Sequence, residues 1–408
     1  MEHSINKKIF NIIVIVAALG YFVDIYDLIL FSVVRITSLK SLGFSGEDLT
    51  HYGEFLLSRQ MYGMLVGGIL WGILGDKKGR VSVLFGSILM YSLANIANGF
   101  VTSVEQYGWL RFIAGVGLAG ELGAGITLVS ETMSKENRGY GTMVVVSVGV
   151  MGAVLAGIVA KFFTWQTCYF IGGGLGLSLL LLRIGVYESG MYKHAAQNSN
   201  LKRGNFFKLF TDKRRFAKYI SCIVLGLPIW FCIGILVTFG TEFAHAMGIT
   251  EPINNGTAVM VFYTGTTFGD FMCGYLSQVF KSRKKVTFAY LCLMIIAMMV
   301  YLFFNSASFF YISCAFLGIG AGYWAVFITI ASEQFGTNIR STVTTTVPNF
   351  VRGALPLMII LYKWVRDLTE GDIVGSAVIV GSISIFFAFI ALYLLDETYG
   401  KDLDYLEK

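Results

Sequence analysis

Runs of more than twenty residues without one charged side chain recur along this chain, at residues 81–104, 139–160, 162–182, 219–241 and 373–395. A hydrocarbon layer about 30 Å thick takes about 20 apolar residues per helical crossing, so each run is long enough to span a bilayer. Residues 286–332 are charge-free for long enough to hold two crossings, interrupted at Asn305-Ser306-Ala307-Ser308. With 55% hydrophobic and 14% charged residues, the chain lacks the charges that would cover a soluble surface of its size. Short alternating segments of the barrel type are absent from the sequence. The reading is an all-α membrane protein with twelve transmembrane helices. They are expected near 9–34, 54–75, 81–102, 106–130, 139–160, 165–187, 217–243, 257–280, 286–304, 309–332, 341–363 and 373–395. The first follows Lys7 and Lys8 and runs into acidic residues, not a small-residue cleavage site, so it is expected to be retained.

Lys and Arg sort strongly by loop. With the N-terminus inside, the cytoplasmic side receives 22 of the 31 and the opposite side five, Arg35, Lys40, Lys161, Lys363 and Arg366. Both termini are therefore expected in the cytoplasm, with the protein in the cell inner membrane. This asymmetry accounts for the net charge of +6 without nucleic-acid binding. The basic stretch 193–218 reads as a topology determinant on anionic headgroups. Cys168, Cys222, Cys232, Cys273, Cys292 and Cys314 fall within spans and read as packed free thiols. His3, His51, His194 and His245 are scattered, so no metal site and no cofactor is expected.

A shift of 202 residues lays one half of the chain on the other. Gly72 falls on Gly274, Gly120 on Gly322, Ser130-Glu131 on Ser332-Glu333, and Arg138 on Arg340. This internal repeat divides the chain into a six-helix bundle at 1–187, a basic linker at 188–216 and a second six-helix bundle at 217–408. Such halves suit a transporter that rocks about a site at mid-membrane depth.

Between the second and third spans stands Gly72-Ile-Leu-Gly75-Asp76-Lys77-Lys78-Gly79-Arg80. Its glycines permit close approach and a tight turn, and its acid beside cations can form a latch. The string resembles the signature loop of the major facilitator superfamily, and the second-half copy, 274–285, is degenerate. Arg111-Phe-Ile-Ala-Gly115-Val-Gly117 is similar to that superfamily's fourth-helix motif. Glu131 with Arg138, and Glu333 with Arg340, look like its acid and base pairs, so the resemblance implies a cytoplasmic gate built on Gly72, Asp76, Gly79, Arg80, Glu131, Arg138, Glu333 and Arg340. Tyr187-Glu188-Ser189-Gly190 and Asp396-Glu397-Thr398-Tyr-Gly400-Lys401 are similar to sugar-porter endings but lack their prolines. Asp24-Ile-Tyr26-Asp27-Leu28 and Gly120-Glu121-Leu-Gly123 look more like the proton-coupled phosphate, aromatic-acid and metabolite symporters.

An ionisable group at mid-span costs about 3 kcal/mol on insertion scales, so it normally faces a partner or a polar cavity. Asp24, Glu121, Asp270 and Arg352 fall near span centres, with Asp27 one turn from Asp24 on the same face. The acids, with Arg111, are candidates for proton coupling or gating. Arg352, flanked by Pro348 and Pro356, offers a planar fork for an anion. Tyr26, Tyr323, Trp324 and Asn349 complete the candidate substrate site. The favoured reading is proton-coupled uptake of a small anionic metabolite, carboxylate or phosphate, by a protein that functions as a monomer in the lipid bilayer. Uptake of a neutral sugar-like solute, efflux of a cationic drug or metal, and a transporter-like sensor remain alternatives. The sequence holds no HExxH, nucleophile constellation or nucleotide loop, so an enzyme is not expected.

Overall fold

The computed structural model describes residues 12–182, 206–303 and 306–405. His3, His194, Lys7, Lys8, the Tyr187 string and the linker before residue 206 lie outside the described residues. Every regular element described is helical, and each expected span falls on one helix or on two in tandem. In chain order these are α1 (Ile12–Ser41), α2 (Asp48–Lys78), α3 (Arg80–Asn98), α4 (Val104–Leu118), α5 (Glu121–Thr132), α6 (Arg138–Phe162) and α7 (Trp165–Leu182). After a short helical turn at Phe206–Phe210 come α8 (Lys213–Phe231), α9 (Gly240–Ala246), α10 (Asn255–Val279), α11 (Arg283–Phe303) and α12 (Ala307–Ala321). The series ends with α13 (Trp324–Glu333), α14 (Arg340–Gly353), α15 (Leu355–Leu368) and α16 (Ile373–Leu394). A wide helical turn at Cys232–Val237 joins α8 towards α9.

Ten of the described helical segments are long and apolar enough to cross a membrane. The expected second and eighth spans, α2 and α10, are as long but more polar, because they carry residues such as Arg59, Gln60 and Asp76, and Thr266, Asp270 and Gln278. Their polar faces meet protein: α2 packs on α4 and α14, and α10 packs on α12 and α6. Large apolar side chains cover the outside instead, with Leu357, Phe386, Trp109 and Phe268 each about 60% exposed. That is the surface a hydrocarbon solvent selects.

The repeat is visible in the packing. A Cβ at Gly63 or Gly67 of α2 would lie 2.1 or 2.3 Å from the carbonyl oxygens of Phe112 and Val116 in α4. At the positions 202 residues on, Gly265 and Gly269 of α10 stand in the same relation to the carbonyls of Ala315 and Ile319 in α12, at 2.0 and 2.5 Å. Small residues four apart let helix backbones touch where no hydrophobic force drives them together. All six cysteines are free thiols; five are buried and Cys292 is half-buried.

The C-terminal segment crosses the end of the bundle that carries the signature loop. Glu397 caps the start of α11, accepting from the Ser282 hydroxyl at 2.5 Å and from the backbone N–H of Arg283 and Lys284 at 2.9 and 3.2 Å. Further on, Arg340 donates to the Leu403 carbonyl at 2.5 Å, Arg138 donates to the Lys401 carbonyl, and Lys135 pairs with Asp402. The Thr337 N–H donates to the Tyr405 carbonyl at 2.9 Å, and Leu403 is buried. The strap therefore grips residues from both repeats.

Burial pushes the Glu397 carboxyl up, but the Ser282 hydroxyl and the α11 N–H groups outweigh it and hold the group below its ordinary range. A depressed pKa stabilises docking fully above the unfolded value, about 4.3, and the contribution is lost as pH falls through the lower folded value. Amide exchange over residues 396–405 should therefore stay slow from pH 8 to 5, and Glu397→Gln should speed it at neutral pH. Equal protection in that variant would exclude Glu397 as the anchor.

Candidate substrate site and gates

Gly79, at φ +103, breaks the chain between α2 and α3 and turns Arg80 back under α2. Arg80 then donates to the Gly75 carbonyl at 2.9 Å and to Glu131 at 2.8 Å, and lies 3.4 Å from Asp76. Asp76 accepts from the Ser341 and Thr342 N–H at 3.2 and 2.8 Å and from the Thr342 hydroxyl at 2.6 Å, so it caps α14. Close approach at Gly72 makes this reach possible, since a Cβ there would stand 3.1 Å from Thr342.

Glu131 also receives Arg340, at 3.3 Å. The reciprocal contact joins Arg138 to Glu333 at 3.3 Å, where Arg283 approaches to 3.5 Å. Each acid thus pairs with the arginine of the other repeat, although the seven-residue spacing had placed each beside the arginine of its own. Gln278 stands where the first repeat has Asp76, and its amide faces Gly139. The second copy of the latch therefore lacks the charged cap. Between the two networks Ser332 donates to Ser130 at 3.2 Å.

At the opposite end two pairs again join the repeats. Arg35, read from the sequence as a loop residue, is fully buried; it binds Glu242 at 2.9 Å and lies 4.6 Å over the Phe239 ring. Lys363 pairs with Glu54. A cavity of about 360 Å³ is lined by Glu242, Glu54 and Lys363 of these pairs, with His51, Tyr362 and Arg366.

Between the ends lies a small closed cavity of about 20 Å³, room for about one water. Arg352 lines it with Tyr21, Trp230, Tyr263, Phe262 and Trp324. The break at Ala354, with Pro356 opening α15, ends α14 beside this space and places Arg352 in its last turn. Its guanidinium sits 5.7 Å from the Trp230 ring and 5.6 Å from the Trp324 ring. It donates at 3.3 Å to Asn349 and at 3.4 Å to the Tyr21 hydroxyl. Among the described residues no carboxylate oxygen comes within 4 Å of it. Asn349 is fixed in turn by donating to the Ala119 and Thr345 carbonyls.

The other candidates are distributed around this centre. Asp24 is buried and is one of three charged groups that act on Tyr21, with Arg352 and Asp270. Asp270 accepts the Ala325 N–H at 2.8 Å and so caps α13; it does not line the cavity. Asp27 faces Arg111 and Asn95, and Gly172 gives it room: a Cβ there would lie 2.0 Å from its oxygen. Arg111 donates at 3.4 Å to Asn95 and to the Asp27 carbonyl, under the Tyr169 ring. Glu121 is buried in the first turn of α5, just after the break at Gly120. Tyr26 and Tyr323 are absent from the cavity lining; their hydroxyls are spent on the Cys168 and Leu225 carbonyls, both at 2.9 Å. Tyr21, absent from the sequence-level site, is at its centre. Its one available signal was position, one turn before Asp24 on the same face.

The model of the Major Facilitator Superfamily matches residues 17–357. The cis,cis-muconate transport protein of Acinetobacter baylyi (strain ATCC 33305 / BD413 / ADP1) is 26% identical, with 97% of each chain covered. The benzoate transport protein of the same strain is 23% identical over 81% of this chain and 78% of that one. Among solved structures, the proton:xylose symporter XylE bound to 6-bromo-6-deoxy-D-glucose superposes with a TM-score of 0.77 at 16% identity, covering 98% of both chains.

The crossed latch is open to a direct check. Oxidation should join Ser130→Cys to Ser332→Cys and arrest transport, with activity returning on reduction. Removing one partner of a buried ion pair costs about 3–5 kcal/mol, so adding Glu131→Gln should slow the cross-link severalfold by parting this end. Cross-linking at an unchanged rate would deny the network its role in closure.

Proposed function

Because this chain belongs to the major facilitator superfamily, as a multi-pass inner-membrane transporter and not an enzyme, we propose that it carries small carboxylate metabolites into the cell together with protons. In this reading twelve spans form two six-helix halves, 1–187 and 217–408, joined by the linker 188–216, with both termini in the cytoplasm. The signature-loop end is then the cytoplasmic gate, and the end with Arg35–Glu242 and Lys363–Glu54 is the outer one. The protein works as a monomer, opening the central cavity to one side at a time.

One observation carries the assignment: Arg352 is a fully buried guanidinium, on the central cavity, with no carboxylate within ion-pair distance among the described residues. A buried cation without a counter-ion is costly, and a substrate anion supplies what is missing. The flanking Trp230 and Trp324 faces and the apolar remainder of the wall suit a flat or unsaturated body behind a carboxylate better than a polyol. Relatives named for muconate and benzoate carry substrates of that description. Asp24, Asp27 and Glu121, buried within the same half, are the groups proposed to take up and release the coupling proton. A cavity with room for one water cannot hold such a substrate as closed, so binding requires the halves to part.

Uptake into proteoliposomes tests this. Labelled benzoate, muconate, phosphate and xylose should separate cleanly, with accumulation of a carboxylate that collapses when the proton gradient is dissipated. Arg352→Lys keeps the charge but loses the fork; at about 1.5–3 kcal/mol for hydrogen bonds to a charged group, affinity should fall roughly ten- to hundredfold. Glu121→Gln should weaken gradient-driven accumulation while sparing exchange. Accumulation of xylose but no carboxylate, or full affinity in Arg352→Lys, would end the proposal.

A further inference from the structure

At the end of the bundle opposite the signature loop, three segments each turn one stripe towards the cavity of about 360 Å³. From α15 come Ile359, Tyr362, Lys363 and Arg366, spaced as neighbours on one helix face. Thr50, His51 and Glu54 come from α2, and Phe239, Glu242 and Phe243 from the entry to α9. The volume lies within the roughly 300–1,000 Å³ usual for small-molecule sites. The closed central cavity, at about 20 Å³, does not.

The charges on this wall are unevenly matched. Glu242 receives Arg35 at 2.9 Å and the Thr50 hydroxyl at 3.0 Å, and Glu54 receives Lys363. Past the end of α15, Asp372 is taken by the start of α16, accepting the Gly375 N–H at 2.9 Å, while Asp367 and Glu370 are exposed and off the lining. Arg366 is half-buried on the cavity, and among the described residues its guanidinium has no hydrogen bond or ion pair. Glu47 and His51 line the same space but are exposed, so the cavity reaches the surface there. Beside Arg366 the wall is aromatic: the Phe243 and Tyr362 rings lie 6.2 Å apart at 43°. The Tyr362 hydroxyl gives its proton to the Ile373 carbonyl at 3.0 Å, so this residue offers the cavity a ring and no donor.

We propose that this cavity is a second binding site, for a small aromatic carboxylate, in which Arg366 holds the carboxylate and Phe243 and Tyr362 bear the ring. Lys363, one turn from Arg366 on the same face, adds its charge. The proposal rests on the carboxylate reading for its ligand and on the proposed topology for its place outside the outer gate. A guanidinium fork matches a carboxylate with paired charge-assisted hydrogen bonds, which a neutral hydroxylated solute cannot return. With Glu54 and Glu242 matched by their own partners, the unpaired cation raises the local concentration of anions in the cleft. The site therefore takes the anion while the central cavity is shut, and holds it until the outer gate parts.

The probe is 4-azidobenzoate, photolysed with detergent-purified full-length protein, with adducts located by peptide mass spectrometry. Adducts within 239–243 and 359–366 report the outer cavity, and adducts at Trp230 or Tyr263 report the central one. Benzoate should protect the outer segments, and benzyl alcohol, the same ring without the charge, should not. Arg366→Gln should raise the benzoate concentration for half-protection there roughly tenfold. Arg352→Lys, a change at a separate site, should leave it within about twofold. The proposal is overturned by an absence of outer adducts, by benzyl alcohol protecting as well as benzoate, by unchanged half-protection in Arg366→Gln, or by a tenfold shift in Arg352→Lys. Arg366-dependent protection by benzoate without uptake of any carboxylate keeps this site and ends the transport reading. Arg352-dependent uptake of benzoate with no outer adduct keeps that reading and ends this one.

Discussion

A guanidinium taken out of water must be given something in return, and this chain buries Arg35, Arg80, Arg111, Arg138, Arg283, Arg340 and Arg352. The penalty for an unmatched ion in low dielectric is several kcal/mol even after relaxation. Arg35, Arg80, Arg138, Arg283 and Arg340 meet carboxylates, and three of those contacts, through Arg35, Arg138 and Arg340, join the two repeats. Folding each half alone would leave these charges unsatisfied. The joint between the halves is thus electrostatic at both ends and closes wherever the pairs form. Arg111 and Arg352 are the exceptions among the described residues. Arg111 has Asp27 facing it and a ring above it; Arg352 has aromatic faces, an amide and a phenol. Among the described buried arginines, Arg352 is the one on the cavity that meets no carboxylate within ion-pair distance.

The breaks in the helices follow from the same economy of polar groups. A helix that starts inside packed protein exposes N–H groups that water cannot reach. At the start of α13 and α14 those groups are met by Asp270 and Asp76, each from a different span. Two acids are thereby committed to backbone, which is why Asp270 is withdrawn from the cavity although its depth in the sequence matched Asp24. Asp76 caps across the repeats, so parting the halves at that end uncaps α14 as well as breaking ion pairs. Closure there is cooperative in a way that a list of salt bridges would not convey.

Much of this was legible beforehand, for identifiable reasons. Apolar length points to the helices, and within the described residues the expected spans fall on helix because lipid leaves no alternative to internally bonded helix. The repeat was readable in Glu131, Arg138, Glu333 and Arg340, since both halves answer to the same geometry. Their partners were not, because spacing along one chain cannot say that Arg138 crosses to Glu333. Depth along its span marks Arg352, which lines the cavity, but depth is silent about angle. Tyr26 and Tyr323 were at suitable depths and turn their hydroxyls to backbone carbonyls. Tyr21 escaped notice because a tyrosine in an apolar helix carries no charge to draw attention. Arg35 falls one residue beyond the expected first span, and its partner, Glu242, lies 207 positions away along the chain.

The two ends of the joint are unequal, and the inequality bears on direction. At the signature-loop end the ion pairs made by Glu131 and Glu333 are almost wholly buried, reinforced by the Asp76 cap and by a strap whose carbonyls bind Arg138 and Arg340. At the other end Lys363 is 40% and Glu242 28% exposed, so water and salt compete for these groups as they part. Separating a screened pair returns its ions to solvent, whereas separating a buried network exposes several charges and a helix terminus at once. On the proposed topology the outer gate is therefore the easier to open. Opening inward then has to be driven by something that weakens the cytoplasmic joint relative to the outer one. Under the proposed coupling, a substrate anion that satisfies Arg352, arriving with a proton that neutralises Asp24, would remove the central charges that otherwise resist closure of the outer gate over them.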